Sequence, residues 1–186
     1  MSDPNYSLQR IVPWDIILSN IMRWRNAQLQ ILRNPEPLTP KDQKAYQKSL
    51  LDDDTLRFSN KLRMWPLTVG DGTMVAWGGF TNIQWYFSGE GVFFDHLHTT
   101  VAELSYISPI EHNLQDFDWF LKEISFMFFN NRYWAGHRLY SETYDFPYRQ
   151  AHISTLEHNG FIREGIMKDH VYRDGSWRDS IIHGKV

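Results

Sequence analysis

Phe117, Phe120, Leu121, Ile124 and Phe128 recur at the spacing of one helix face. Strand-like runs stand on both sides of them, "VAELSYI" before and "RLYSETY" after. A strand–helix–strand order of this kind joins parallel strands through a right-handed crossover. It places the chain in the α/β (α+β) class, with a mixed sheet covered by helices.

The flanking segments fill in the order. Ile16, Ile17, Ile21 and Trp24 predict a first helix. Thr39 before Pro40, with Asp42 three residues on from Thr39, reads as an N-cap, a first-turn proline and a capping partner. A second helix then runs through Ala45 towards Leu50. Leu56, Phe58, Leu62 and Met64 alternate with Arg57, Ser59, Lys61 and Arg63, the pattern of a half-buried strand. Asp71 and Gly72, between "LTV" and "MVAW", predict a hairpin. Gly78 and Gly79 in the next strand predict a bulge or a close backbone approach. A short helix over 148–158 closes on Asn159 and Gly160, because glycine accepts the left-handed C-cap conformation. The last hairpin turns at Asp174 and Gly175. The segment before the first helix reads as poor in strand.

The totals narrow the function. At 186 residues one domain, 1–186, is expected, long enough to bury a core. Hydrophobic residues make up 42% and charged residues 22%, a globular balance. Aromatic residues reach 16%, with eight Trp, which suggests a lined cleft or an association surface besides the core. The net charge of -3, without a run of one sign, argues against a nucleic-acid binder that grips phosphates. Without cysteine there is no disulfide, no thiolate nucleophile and no Cys-ligated zinc. No stretch reaches the roughly 18 apolar residues of a membrane span. "MSDPNYSLQR" lacks a basic-then-apolar signal pattern, so a cytoplasmic location is expected. A homodimer is also expected, since an aromatic-rich meander has an edge to cover.

Three blocks carry a resemblance. "LEHNGFIREGIMKDHVYRDGSWRDSIIHGKV" holds Leu156, Glu157, Gly160, Phe161, Glu164, Gly165, Asp169, Gly175 and Asp179 in a recognisable order. "GGFTNIQW" is followed by "AELSYI", and "RWRNAQL" occupies 23–29. Together they resemble the GNAT superfamily of acyl-CoA-dependent N-acetyltransferases, in the branch of ribosomal-protein and nucleotide-sugar N-acetyltransferases. The resemblance implies a mostly antiparallel central sheet whose β-α-β core splays to admit the cofactor, with helices on both faces. It implies acetyl-CoA or another acyl-CoA as co-substrate, no metal, and a small-molecule primary amine as acceptor, an amino sugar on a nucleotide carrier. Leu104, Ser105 and Tyr106 would hold the thioester and pantetheine, and His112, Asn113, Leu114, Gln115 and Asp116 would meet the pyrophosphate. Trp24, Arg25, Asn26, Asn82, Trp85 and His170 would line the acceptor side.

The chain departs from the pattern in two places. The loop "SPIEHNLQDF" has no glycine and no Arg or Lys, and Glu111 and Asp116 add negative charge where phosphates should sit. Each such carboxylate opposes a phosphate by about 1 kcal/mol or more. Either Asn113, Gln115 and backbone N–H groups compensate, or another donor replaces CoA, or the scaffold is a catalytically degenerate binding or assembly protein. The second departure is an insert over 86–100.

For the chemistry, an amine must lose a proton to attack a thioester, and a carboxylate or His takes it. Glu103, on the splayed strand, is the expected base. Asp145, at the C-terminal end of the parallel strand, stands where open sheets place ligands, with a turn or cap as the alternative role. Tyr148, like Tyr144, would protonate the leaving thiolate or simply pack. His152 is a further candidate base. His96 and His98 sit at strand spacing, but no third ligand accompanies them, so no metal is expected.

Overall fold

The computed structural model of the chain describes residues 5–8, 12–29, 32, 35–51, 63–87, 98–109, 114–131 and 135–186. Helix α3 (Leu114–Asn130) is built on the apolar stripe, and all five of its expected core residues are buried. It connects β4 (His98–Ile107) to β5 (Gly136–Tyr144), and these two strands are parallel. The remaining strands are β1 (Tyr6–Leu8), β2 (Arg63–Val69), β3 (Thr73–Phe87), β6 (Ile162–Arg173) and β7 (Ser176–Lys185). Among the described residues they form one sheet in the order β1-β2-β3-β4-β5-β7-β6, antiparallel everywhere except β4–β5. β1 was not expected from the sequence. It is three residues long, too short for a periodic signal.

Helices cover both faces. On one, α3 and α4 (Gln150–His158) meet Leu67, Ala76, Phe80, Ala102, Leu104 and Leu139. On the other, Ile17, Ile21 and Trp24 of α1 (Trp14–Asn26) pack with Met74 and Trp77, joined by Tyr46 of α2 (Pro40–Leu51). Ile16, expected in that stripe, is 45% exposed, because the buried arc of α1 passes through Ile17, Ile21 and Trp24. The capping box of α2 forms as expected: Thr39 N–H and Oγ1 both donate to Asp42 Oδ2, at 2.8 and 2.6 Å.

Gly78 and Gly79 are sites of close approach. A Cβ on Gly78 would stand 2.9 Å from the Ser105 carbonyl oxygen, and one on Gly79 would overlap the Arg63 carbonyl on β2. The bulge lies further on, between Thr81 and Gln84, where Asn82 takes a φ of +46°. α4 ends in a Schellman motif: Gly160 N–H donates to Glu157 O and Phe161 N–H to Leu156 O. Phe161 and Leu156 are both buried in the α3-side core, the apolar contact that accompanies this cap. Of the alternating run at 56–64, Arg63 and Met64 lie in β2 and the rest lies outside the described residues, as do 88–97 of the insert.

Candidate active site

The parallel pair opens like a V. β4 and β5 are paired only through Glu103↔Tyr140. Beyond it Leu104–Ile107 stays with β3 and Ser141–Tyr144 stays with β7, so the two strands diverge. The Glu103 carbonyl accepts from Thr81 Oγ1 at 3.4 Å, and the Ser105 carbonyl lies against Gly78; both face β3. Backbone groups alternate along a strand, so those of Leu104 and Tyr106 face the opening. N–H and C=O groups there, left without a sheet partner, are a template for an extended ligand.

Cross-strand partners share a face, so Glu103 and Tyr140 point to the face that α1 and α2 partly cover. Glu103 is 8% exposed, and Asn82 Nδ2 donates to its Oε2 across a short contact. The bulge that gives Asn82 its left-handed conformation is what aims the amide at Glu103. Two residues past Tyr140, Glu142 lies on the same face in the widening gap. Its Oε1 accepts from Ser180 Oγ at 2.8 Å, and His170 Nδ1 stands 2.7 Å from that same Oγ. Ser180 has one proton and gives it to Glu142, so His170 Nδ1 is the donor to Ser180. His170 Nδ1 is also 3.5 Å from Glu142 Oε1. This Glu142–Ser180–His170 cluster unites three strands that sequence reasoning could not join. Only the His170 end was anticipated, on the cleft side.

On the α3 side, a cavity of about 420 Å³ is lined by Leu114, Gln115, Asp118, Ser154, Thr155 and His158, at the start of α3 along α4. Leu114 and Gln115, expected to meet the pyrophosphate, are among its lining residues. Asp116 is used structurally: Tyr6 Oη donates to its Oδ1 at 2.7 Å, tying β1 to α3. His112 and Asn113 lie outside the described residues. A second cavity of about 30 Å³, at the end of β4, is lined by Gln28, Leu32, Tyr106, Ile107, Ser108, Arg149 and His152. Burial pushes the Tyr106 hydroxyl well above the usual phenol range, so it stays protonated. His152 stacks on Phe117 with ring centroids 3.7 Å apart.

Solved structures share this fold. A mutant form of the spermidine/spermine N-acetyltransferase of Vibrio cholerae superposes with a TM-score of 0.70 at 14% identity, covering 97% of this chain and 93% of that one. The ribosomal-protein-S5-alanine acetyltransferase of Vibrio fischeri gives 0.66 at 18% identity, over 97% and 91%. The ribosomal-protein-alanine N-acetyltransferase of Brucella melitensis gives 0.63 at 14%, over 97% and 98%. The chain has the GNAT fold. Neither a family model nor a curated protein matches it.

The other expected residues are divided between the core, the helix connections and the surface. Trp24 is 3% exposed inside the α1 core, which corrects its expected place in the acceptor lining: its bulk completes the packing on Trp77 and Met74. Trp85 is corrected likewise. The bulge reverses the strand's parity, so Trp85 packs with the α3-side core opposite Thr100. Asn26 pins the segment before α2, donating to Leu38 O at 3.0 Å and accepting from Leu38 N at 2.8 Å. Burial holds the Arg25 guanidinium below its ordinary range. The Asp145 carboxylate accepts from Gln150 Nε2 at 2.6 Å, the turn-forming role. Tyr148 is 56% exposed and stacks on Phe146, 5.1 Å between centroids. No group of three or more metal-binding side chains occurs among the described residues, and no described helix is long and apolar enough to cross a membrane.

Proposed function

We propose that this protein is an acyl-CoA-dependent N-acyltransferase that moves an acetyl or other short acyl group to a primary amine. The observation behind this reading is the opening of β4 from β5 beyond Glu103, with that nearly buried carboxylate at its base. The open backbone of Leu104 and Tyr106 fits a pantetheine arm as an added strand. Acetyl-CoA, when bound, supplies the acyl group as a thioester. The N–H groups of Leu104 or Tyr106 donate to the thioester oxygen and hold the negative charge that develops there. Glu103, oriented by Asn82, takes the proton of the attacking amine, directly or through one water, as the new C–N bond forms; the thioester C–S bond then breaks and the leaving thiolate takes a proton from Tyr148 or solvent.

The acceptor we carry forward is the amino sugar on a nucleotide carrier that the sequence resemblance implies. Glu103 and Glu142 suit its amine end, and Arg25 is the cation we assign to its phosphate. A cytoplasmic location and a homodimer belong to the same proposal. Edge strand β6, with exposed Ile162, Ile166, Met167 and Tyr172, supports self-association. One observation favours a second reading, a non-catalytic binding protein: the 108–117 loop carries two acidic residues and no glycine, Arg or Lys.

Calorimetric titration with acetyl-CoA, free CoA and longer acyl-CoAs separates the two. The transferase reading expects saturable binding in the micromolar range, about -8 kcal/mol. An amine screen that reads thiol release should then pick out nucleotide-linked amino sugars over polyamines and N-terminal peptides. Absence of binding to every acyl-CoA overturns the acyl-CoA-dependent reading.

A further inference from the structure

Glu142 is a second carboxylate at the opening, and side chains of two further strands connect it to the surface. It stands two residues beyond Tyr140, where β5 has parted from β4, and its side chain is 14% exposed. Its Oε1 accepts from Ser180 Oγ, and Ser180 is fully buried. Ser180 Oγ in turn accepts from His170 Nδ1. The His170 side chain is 43% exposed. The hydrogen bonds therefore run from the surface to the cleft, and each donor points inward.

His170 reaches this place only through an irregularity in β6. Met167 pairs with Ser180 and Val171 with Arg178, so regular alternation would turn His170 to the face opposite Ser180. Between those two pairs, residues 168–170 stand against Asp179 alone. Asp169 takes a φ of +48° there, and its N–H donates to Asp179 Oδ1 at 3.0 Å. Lys168 Nζ donates to Asp179 Oδ2 at 2.6 Å. This bulge aims His170 at Ser180 and Glu142, as the β3 bulge aims Asn82 at Glu103. A plain surface ion pair needs neither the bulge nor a buried hydroxyl between its charges.

We propose that His170, Ser180 and Glu142 form a proton relay that supplies the leaving thiolate of the acyl donor. This rests on the transferase reading. As the C–S bond breaks and sulfur keeps the bonding pair, the His170 imidazolium gives its Nδ1 proton to Ser180 Oγ. Ser180 gives its own proton to Glu142 Oε1, and the Glu142 carboxyl protonates the sulfur. His170 is left neutral and regains a proton from water. The proton that Glu103 took from the amine returns to water, so protons and charge balance over the cycle. The amine and the sulfur flank the same carbon, so Glu142 meets the first as a carboxylate and serves the second as an acid. Glu142 is the catalytic member; Ser180 and His170 act through it.

The test is steady-state thiol release from acetyl-CoA, with the fastest primary amine of the screen, by wild type, His170→Ala, Ser180→Ala, Glu142→Gln and Tyr148→Phe. In the three relay variants kcat should fall about 100-fold or more, the range of a lost general acid. Acetyl-CoA affinity by calorimetry and KM for the amine should stay as in wild type. Added imidazole should restore His170→Ala, whose side chain is open to solvent, but not Ser180→Ala, where the break is buried. His170→Ala should melt close to wild type. Wild-type kcat in His170→Ala overturns the relay, and so does a fall in kcat confined to Tyr148→Phe. A loss that appears in KM or affinity rather than kcat, or that imidazole leaves unrepaired in His170→Ala, makes the cluster structural and overturns it as well. A wild type that acylates no amine removes the transferase reading itself, and the relay with it.

Discussion

Glu103 and His183 show how burial suits one side chain to its proposed function and makes another costly. Glu103 keeps a hydrogen-bonded carboxylate at the foot of the opening, so Glu103→Gln should keep acyl-CoA affinity while kcat falls about 100- to 10,000-fold. Titration calorimetry and a thiol-release assay read the two quantities separately, and unchanged turnover across pH would remove Glu103 from the base role. His183 is fully buried on β7, with Nε2 3.3 Å from Glu157 Oε1. Desolvation depresses its pKa, only partly offset by the Glu157 carboxylate. A histidine held neutral in the folded state takes up a proton first in the unfolded chain. Its contribution to stability is therefore complete above the unfolded pKa of about 6.5 and is lost as pH falls from there towards the folded value. Melting temperature should fall more steeply between about pH 7 and 5 in wild type than in His183→Gln. Equal slopes would mean that His183 titrates alike in both states.

At the level of elements, backbone approach decides what the strands tolerate. Gly79 has a φ of +156° and faces the Arg63 carbonyl, a backbone atom that cannot swing away. Gly79→Ala should therefore cost about 3 kcal/mol, lowering the melting temperature by roughly 6–12 °C. Gly165 on β6 has open space around its missing Cβ, and Gly165→Ala should change stability by no more than about 0.5 kcal/mol. Thermal melts of the pair compare the two strands directly. The bulge at Thr81–Gln84 matters as much. It brings Ile83 and Trp85 into the α3-side core and leaves Asn82 beside Glu103.

For the whole molecule, the sheet ends differ. β1 is three residues long and tied to α3 through Tyr6, whereas β6 runs twelve residues with its side chains almost all exposed. Light scattering over a concentration series should give twice the 22.2 kDa chain mass, and Ile166→Lys should shift it towards one copy without lowering the melting temperature. A single-chain mass at every concentration would refute association through this edge.

What the sequence determined alone is what short-range chemistry controls. The α3 stripe, the Thr39–Asp42 capping box, the Gly160 C-cap and the turn at Asp174 and Gly175 each act within a few residues, and each is present. The α3 stripe with its flanking strands was also enough to imply the parallel β4–β5 pair, and hence the fold class. Tertiary structure decided which side chains meet. Strict alternation would keep Thr81, Ile83 and Trp85 on one face, and one extra residue opposite β4 reverses that parity. Trp24 reads equally well as cleft or core until Trp77 packs on it. Glu142, Ser180 and His170 come from three strands whose register depends on the whole sheet. Local propensity acts within a helical turn, whereas strand parity, burial and charge pairing depend on residues brought together from far along the chain.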